Sequence, residues 1–197
     1  MSSYASGYFH KIRLLLDTVD PAPIDAAIRI LEDAWRASRQ VFVIGNGGSA
    51  STASHYACDL NKNTAHPDFP RLKVMSLCDN VALFSAIAND YGYREVFTEQ
   101  LKHFFQPQDV LVGISAGGNS PNVVSAFAYA KAAGGMTIGV TGFTGGEVAR
   151  LADCSIHIPS QEYGPVEDVQ LMVNHLITEY FRALVKSGNP AAVTQTA

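Results

Sequence analysis

The sequence VFVIGNGGS at residues Val41–Ser49 decides the fold of this chain. It begins with four apolar residues, three of them β-branched, which predict a buried strand, and its glycines predict a tight turn after that strand. A run from Ser49 to Leu60 is predicted to be helical, with Ser49 near its N-cap. A glycine turn between a strand and a helix exposes backbone N–H groups at the positive end of the helix dipole. The stretch therefore predicts an anion site, and phosphate is its usual ligand.

The same arrangement occurs a second time downstream. Asp109–Ile114 is a predicted strand, Ser115–Ser120 is a small polar turn, and Pro121 suits the first position of the helix that follows. One such loop is as easily explained as a simple turn of the chain. Two loops of the same design in one short chain favour a phosphorylated ligand.

Composition limits the classes of function. With 197 residues, 47% of them hydrophobic and 16% charged, the chain suits a single globular domain. A net charge of −4 and a pI near 5.8 argue against nucleic acid or a membrane surface as a partner, so phosphate recognition must be local. There is no apolar run of bilayer length and no secretory pattern at the start, so we expect a cytoplasmic protein.

Strands and helices are predicted to alternate after an N-terminal helix pair. This pattern predicts an α/β fold, Rossmann-like or flavodoxin-like, with a five-stranded parallel sheet flanked by helices. The predicted strands are Val41–Ile44, Leu72–Met75, Val110–Ile114, Met136–Val140 and Ser155–Ile158. The predicted helices after the first pair are Ser49–Asn61, Asn80–Ala88, Arg94–Phe104, Asn119–Ala133, Gly146–Leu151 and Val166–Ser187. Ligands of such sheets bind beyond the carboxyl ends of the strands, where both glycine loops lie.

The predicted domain organisation is simple. Residues 1–38 form the helical pair and belong to the same domain as the alternating region, residues 39–188. Residues 189–197 are expected to be a disordered tail.

The chain resembles the sugar isomerase (SIS) domain, and most closely the phosphoheptose isomerases, also called sedoheptulose 7-phosphate isomerases. The resemblance covers nearly the whole chain, including the helix pair, and identifies residues 39–188 as the SIS domain. The segments that carry it are GNGGS at 45–49 with HYACD at 55–59, ANDYGY at 88–93, GISAGGNSPNV at 113–123 and YGPVEDVQLMVNH at 163–175.

The resemblance implies an enzyme, a homotetramer with active sites between subunits. The implied reaction is the aldose–ketose isomerisation of sedoheptulose 7-phosphate to D-glycero-D-manno-heptose 7-phosphate, with zinc or another divalent metal as cofactor. Two alternatives remain open. One is an isomerase of another phosphosugar. The other is a non-catalytic SIS protein, either a phosphosugar sensor or a regulator that binds the replication initiator DnaA.

The resemblance also implies a metal site and a pair of catalytic residues. The implied ligands are His55, Asp59, Glu167 and His175, with Asp59 where the family has Glu and Glu167 where it has Gln. Asp59 is the implied base that moves a proton between C1 and C2, and His175 the implied acid/base for the oxygens. The residues alone leave this open. His55 and Asp59 share a helix face at i, i+4, and such ligands suit zinc, but without the resemblance an ordinary helix pair beside a solvated acidic patch is the preferred explanation.

The implied substrate contacts occupy both loops and two further segments. Ala116 and Gly117 stand where the family has Thr and Ser, and Gly164 stands where it often has Asp, which leaves the natural sugar open. Backbone N–H groups survive both loop changes, so an anion site is still expected. The contacts are Asn46, Gly47, Ser49, Asn89, Asp90, Ser115, Gly117, Ser120 and Glu167.

Overall fold

Five parallel strands form one sheet in the computed structural model, which describes residues 3–188 of the chain. The strand order is β2-β1-β3-β4-β5, and each neighbouring pair is parallel. The fold class predicted from the sequence is confirmed. The strands are β1 Gln40–Gly45, β2 Lys73–Ser76, β3 Val110–Ser115, β4 Met136–Thr141 and β5 Cys154–His157.

Helices cover both faces of this sheet. None of those in residues 3–188 combines the length and the apolar character needed to cross a bilayer. A 3₁₀ turn at Tyr93–Glu95 lies between α4 and α5. The helices are α1 Tyr4–Leu16, α2 Ala22–Arg36, α3 Gly48–Asn63, α4 Val81–Asp90, α5 Thr98–Phe104, α6 Pro121–Ala132, α7 Gly146–Leu151 and α8 Tyr163–Lys186.

The order of the strands places the two glycine loops side by side. Strand β1 pairs with β2 on one side and with β3 on the other, and Gly45 at its end is in register with Ile114 of β3. The chain therefore leaves β1 and β3 in opposite directions across the sheet, which is the switch point at which α/β folds bind ligands. Strand β3 is buried along its whole length, as its apolar sequence predicts.

Helix α2 shares a core with the sheet. Its Trp35 is almost fully buried, packs edge-on against Phe181 of α8 with ring centroids 5.6 Å apart, and donates from Nε1 to the carbonyl of Pro70 at 2.9 Å. The same apolar cluster contains Val41 and Val112 of the sheet. Burial of such side chains is the main energetic reason for the N-terminal helices to pack here.

Most helix boundaries differ by a few residues from the sequence prediction, and the last helix, for example, begins at Tyr163 instead of Val166. Helix α3 begins at Gly48, with Gly47 as N-cap at φ 55°, so the turn is one residue shorter than predicted. The predicted helix Arg94–Phe104 is divided into the 3₁₀ turn and α5. At the break, the side chain of Gln100 donates to the Val96 carbonyl at 2.7 Å, beside the fully buried Val96 and Phe97 side chains. The tail predicted at residues 189–197 lies outside the described residues.

Candidate active site

The two glycine loops open into one cleft of about 460 Å³ at the carboxyl edge of the sheet. Six of the substrate contacts inferred from the sequence line it. Among all its lining residues, Glu167 is the only one with a charged side chain. The cleft is lined by Asn46, Ser49, Ile114, Ser115, Ala116, Gly117, Asn119, Ser120, Tyr163 and Glu167.

Close backbone packing shapes the first loop. A side chain at Gly45 would place its Cβ 2.5 Å from the carbonyl oxygen of Ser49, and Gly47 has a positive φ that L-residues rarely adopt. The first hydrogen bond of α3 runs from the N–H of Ala50 to the carbonyl of Gly47, at 3.1 Å. The N–H groups of Gly48 and Ser49 precede that bond, and they form the positive end of the helix.

Contacts with the chain after β4 hold the second loop. A Cβ at Gly118 would lie 1.9 Å from the carbonyl oxygen of Gly145, and the Asn119 side chain accepts from the N–H of Glu147 at 3.0 Å. The hydroxyl of Ser115 accepts from the N–H of Gly118 at 3.2 Å. Ser120 is the N-cap of α6, but its side chain makes no capping hydrogen bond. Its hydroxyl is therefore available to a ligand in the cleft.

A histidine–aspartate cluster lies further along α3 and α8. The Nε2 atom of His55 is 3.2 Å from Oδ2 of Asp59 and 3.5 Å from Nε2 of His175, and the third pair is 3.8 Å apart. A tetrahedral zinc ion with bonds of about 2.1 Å spaces its ligands by roughly 3.4 Å, so these atoms fit three corners of such a site. Two histidines and one carboxylate, with a fourth position open, form a common ligand set of catalytic zinc.

Glu167 lies apart from this cluster. Its carboxylate is next to Gly48, where an added Cβ would be 2.7 Å from Oε2. Further along, His175 of α8 contacts His55 of α3. The two contacts follow the same order along both helices, so α3 and α8 run side by side in the same direction. The eight residues from Glu167 to His175 correspond to a rise of about 12 Å. The structure therefore brings together three of the four inferred metal ligands and places Glu167 in the cleft.

Three other inferred contacts do not line the cleft. Gly47 is exposed at the tip of the first loop. Asn89 and Asp90 are exposed at the end of α4, where the Asn89 amide donates to the Asp90 carboxylate at 2.8 Å.

The structure also shows residues that the sequence analysis did not assign. Asn119 and Tyr163 line the cleft, and Asn122 and Tyr93 hydrogen-bond to Asn46. Asn119 and Asn122 flank the start of a helix that follows a glycine loop, and that position in the sequence is a signal for residues that line a ligand cleft. Tyr163 begins the last helix. Its place in the cleft cannot be inferred from the sequence, because it depends on the packing of that helix against the first loop.

Comparison with known proteins identifies the family of the chain. The family model described as SIS domain matches residues 7–142. A phosphoheptose isomerase of Akkermansia muciniphila is 33% identical over 165 residues, which are 84% of this chain and 87% of that protein. One of Nitratidesulfovibrio vulgaris is 39% identical over 141 residues, or 72% of this chain and 67% of that protein.

A solved structure shows the same fold. The phosphoheptose isomerase of Francisella tularensis superposes with a TM-score of 0.83 at 24% identity, covering 93% of this chain and all of that one. The chain therefore belongs to the SIS domain family and, within it, to the phosphoheptose isomerases, so that it is an enzyme of the aldose–ketose isomerase class.

Proposed function

We propose that this protein interconverts sedoheptulose 7-phosphate and D-glycero-D-manno-heptose 7-phosphate in the cytoplasm. The observation that carries the proposal is the position of two features on one helix pair. The cleft between the two glycine loops, which the starts of α3 and α8 border, suits a phosphate, and the His55–Asp59–His175 cluster further along suits proton transfer.

The distance between these features favours a long sugar. The cleft and the cluster are separated by about 12 Å along α8. Eight bonds connect C1 to phosphorus in an open-chain heptose 7-phosphate, which reaches about 10 Å at the roughly 1.2 Å per bond of an extended chain. A triose phosphate spans half that length. The extended heptose phosphate is about 2 Å shorter than this separation, which the side chains at either end can cover, whereas the triose phosphate is about 7 Å too short.

The chemistry requires a base and a group that serves the oxygens. We assign Asp59 as the base that takes a proton from C1 of the ketose and returns it to C2. His175, beside it, gives a proton to O2 and takes one from O1, so that the C2 carbonyl becomes a hydroxyl and C1 becomes the aldehyde. A divalent cation such as zinc, held by His55, Asp59 and His175, would polarise the carbonyl oxygen, and Asp59 or His175 would release it transiently while carrying a proton.

We further propose a homotetramer with active sites between subunits. Helix α1 exposes large apolar side chains, with Tyr4 92%, Phe9 66% and Leu14 55% accessible, and such faces are commonly buried against another subunit. In that arrangement the exposed pair Asn89–Asp90 would contact sugar bound to a neighbouring subunit.

An assay of the purified protein tests the proposal. Sedoheptulose 7-phosphate, fructose 6-phosphate and dihydroxyacetone phosphate are supplied with and without a chelator. We expect turnover of the heptose, none of the triose, and a loss of rate with chelator. Binding of the heptose phosphate without turnover would instead indicate a non-catalytic SIS protein. Preference for a shorter sugar would contradict the length argument.

A further inference from the structure

Glu167 places a negative charge where the first loop would otherwise bind an anion. Atoms Oε2 and Oε1 would lie 2.7 and 3.1 Å from a Cβ built on Gly48, the first residue of α3. The side chain is half-buried. Within residues 3–188 its carboxylate has no hydrogen bond or ion pair with another side chain. The charge is therefore free to act on whatever enters the cleft.

The two ends of the cleft differ in their electrostatics as a result. The start of α3, a helix of 16 residues, attracts anions, and Glu167 already supplies one there. At the start of α6, the second loop presents the hydroxyl of Ser120 and backbone N–H groups, and no carboxylate of that loop faces the cleft. A phosphate at the first loop would meet a like charge in a partly desolvated place, whereas a phosphate at the second loop would not.

We propose that Glu167 determines the orientation of the substrate in the cleft. The phosphate binds at the second loop, through Ser120 and backbone N–H groups. The first loop, with Ser49 and Glu167, receives the hydroxyl-bearing part of the sugar. A carboxylate accepts hydrogen bonds from hydroxyl groups but finds no donor on an ionised phosphate, so it suits a polyol and disfavours the anion.

This inference rests on the proposed phosphosugar function, and it differs from the pattern of the resembling family. There a neutral glutamine stands at the position of Glu167, and the implied substrate contacts occupy both loops. In this chain the phosphate is confined to one loop. The carbon chain then runs past Glu167 towards the His55–Asp59–His175 cluster, as the proposed reaction requires.

Binding of inorganic phosphate tests the inference without any reaction. Its dissociation constant is measured by calorimetry, in the presence of chelator, for the wild type, Glu167→Gln and Asp168→Asn. The last variant removes the same charge one residue away, where the carboxylate accepts from Tyr8 outside the cleft. We expect Glu167→Gln to bind phosphate at least about tenfold more tightly and Asp168→Asn to match the wild type.

Serine variants then locate the phosphate. In the wild type, Ser120→Ala should weaken phosphate binding and Ser49→Ala should leave it unchanged. In the Glu167→Gln background, Ser49→Ala should reverse most of the gain. Equal affinities of Glu167→Gln and Asp168→Asn would overturn the inference, as would an equal loss from both serine variants of the wild type. A failure of isomerase turnover with these binding results intact would overturn the proposed reaction and leave the orientation standing.

Discussion

Asn46 and Asn122 lie 76 residues apart in sequence and exchange two side-chain hydrogen bonds, of 2.9 and 2.8 Å. Asn46 belongs to the first loop, and Asn122, which is buried, stands in the first turn of α6 behind the second loop. The hydroxyl of Tyr93 donates to the same Asn46 oxygen at 2.8 Å. This network ties the two loops together at the floor of the cleft.

Replacing Asn122 by Asp should therefore loosen the cleft. The size of the side chain is kept, but a carboxylate cannot donate to the Asn46 oxygen. We expect a cost of about 1–3 kcal/mol, seen as a rise in KM of roughly tenfold or more with a smaller change in kcat. Asn80→Asp is the matched control. Asn80 caps α4 only by accepting from the N–H of Leu83, which a carboxylate also does. Equal kinetics of the two variants would contradict a positioning role for Asn122.

Loss of the Ser120 hydroxyl should weaken phosphosugar binding. The hydroxyl lies in the cleft without a capping hydrogen bond, and a hydrogen bond to a charged phosphate contributes about 1.5–3 kcal/mol. We expect Ser120→Ala to raise the dissociation constant of sedoheptulose 7-phosphate by tenfold or more in calorimetry. Ser85→Ala, on the exposed face of α4, should bind as the wild type does. Unchanged affinity in Ser120→Ala would mean that the second loop is a structural turn.

The fold could be predicted from the sequence because its signals are local. Apolar runs such as Val41–Ile44 end at glycine turns, and periodic helices separate them, so each element is recognisable alone. The junction between Tyr93–Glu95 and Thr98–Phe104 was missed because its cause is a tertiary contact. There the Gln100 side chain donates to the carbonyl of Leu77, 23 residues away, at 3.0 Å, and no periodicity encodes that.

The candidate site could be predicted only in part for a similar reason. Both loops and the His55–Asp59 pair follow from spacing along the chain. The pairing of Asn46 with Asn122 depends on β1 lying beside β3, a strand order that alternation alone does not determine. The contact of Glu167 with Gly48 likewise depends on the parallel packing of α3 and α8.

Stability in acid should depend on Asp153. Burial raises the pKa of its carboxyl, but hydrogen bonds from Lys131 at 2.6 Å and from the N–H and hydroxyl of Thr137 at 2.9 and 2.8 Å outweigh burial and hold the pKa below its usual value. Since the folded pKa lies below the unfolded one, the carboxylate stabilises the fold above the unfolded value, near pH 4. That contribution is lost as the pH falls through the folded pKa.

Because Asp153 is partly exposed and solvent screens its ion pair, we expect Asp153→Asn to lower the free energy of unfolding by about 1 kcal/mol at pH 7 and by less at pH 3. Urea unfolding at both pH values measures the difference. Asp17→Asn, at the exposed end of α1, should have the same free energy of unfolding as the wild type at both pH values. If Asp153→Asn differs from the wild type by the same free energy at pH 7 and at pH 3, the lowered pKa of Asp153 is not the cause of the loss.

The assembly should depend on the exposed face of α1. We expect light scattering at micromolar concentration to give four times the chain mass of 21.1 kDa for the wild type. Phe9→Glu should reduce that mass, because a charge would be buried in the interface, while the helical circular dichroism is retained. A monomeric wild type would contradict the proposed tetramer. A tetrameric Phe9→Glu variant would place the interface elsewhere.

His175→Ala should abolish turnover and leave the fold intact. The His175 side chain is half exposed, whereas Val173, Ile177 and Phe181 anchor the same helix in the core. The loss should therefore be chemical. A general acid/base contributes typically about 10²–10⁴-fold, and removal of a metal ligand at the same time should move the loss towards the upper end.

Steady-state rates and metal content by mass spectrometry check this together. His103→Ala, which changes an exposed histidine on α5 far from the cluster, should match the wild type in both. Near-normal turnover of His175→Ala would refute its catalytic role and the metal site at once. Normal turnover of a metal-free wild type would contradict only the proposed role of the metal. Proton transfer by Asp59 and His175 would stand, because it requires the two side chains and the sugar alone.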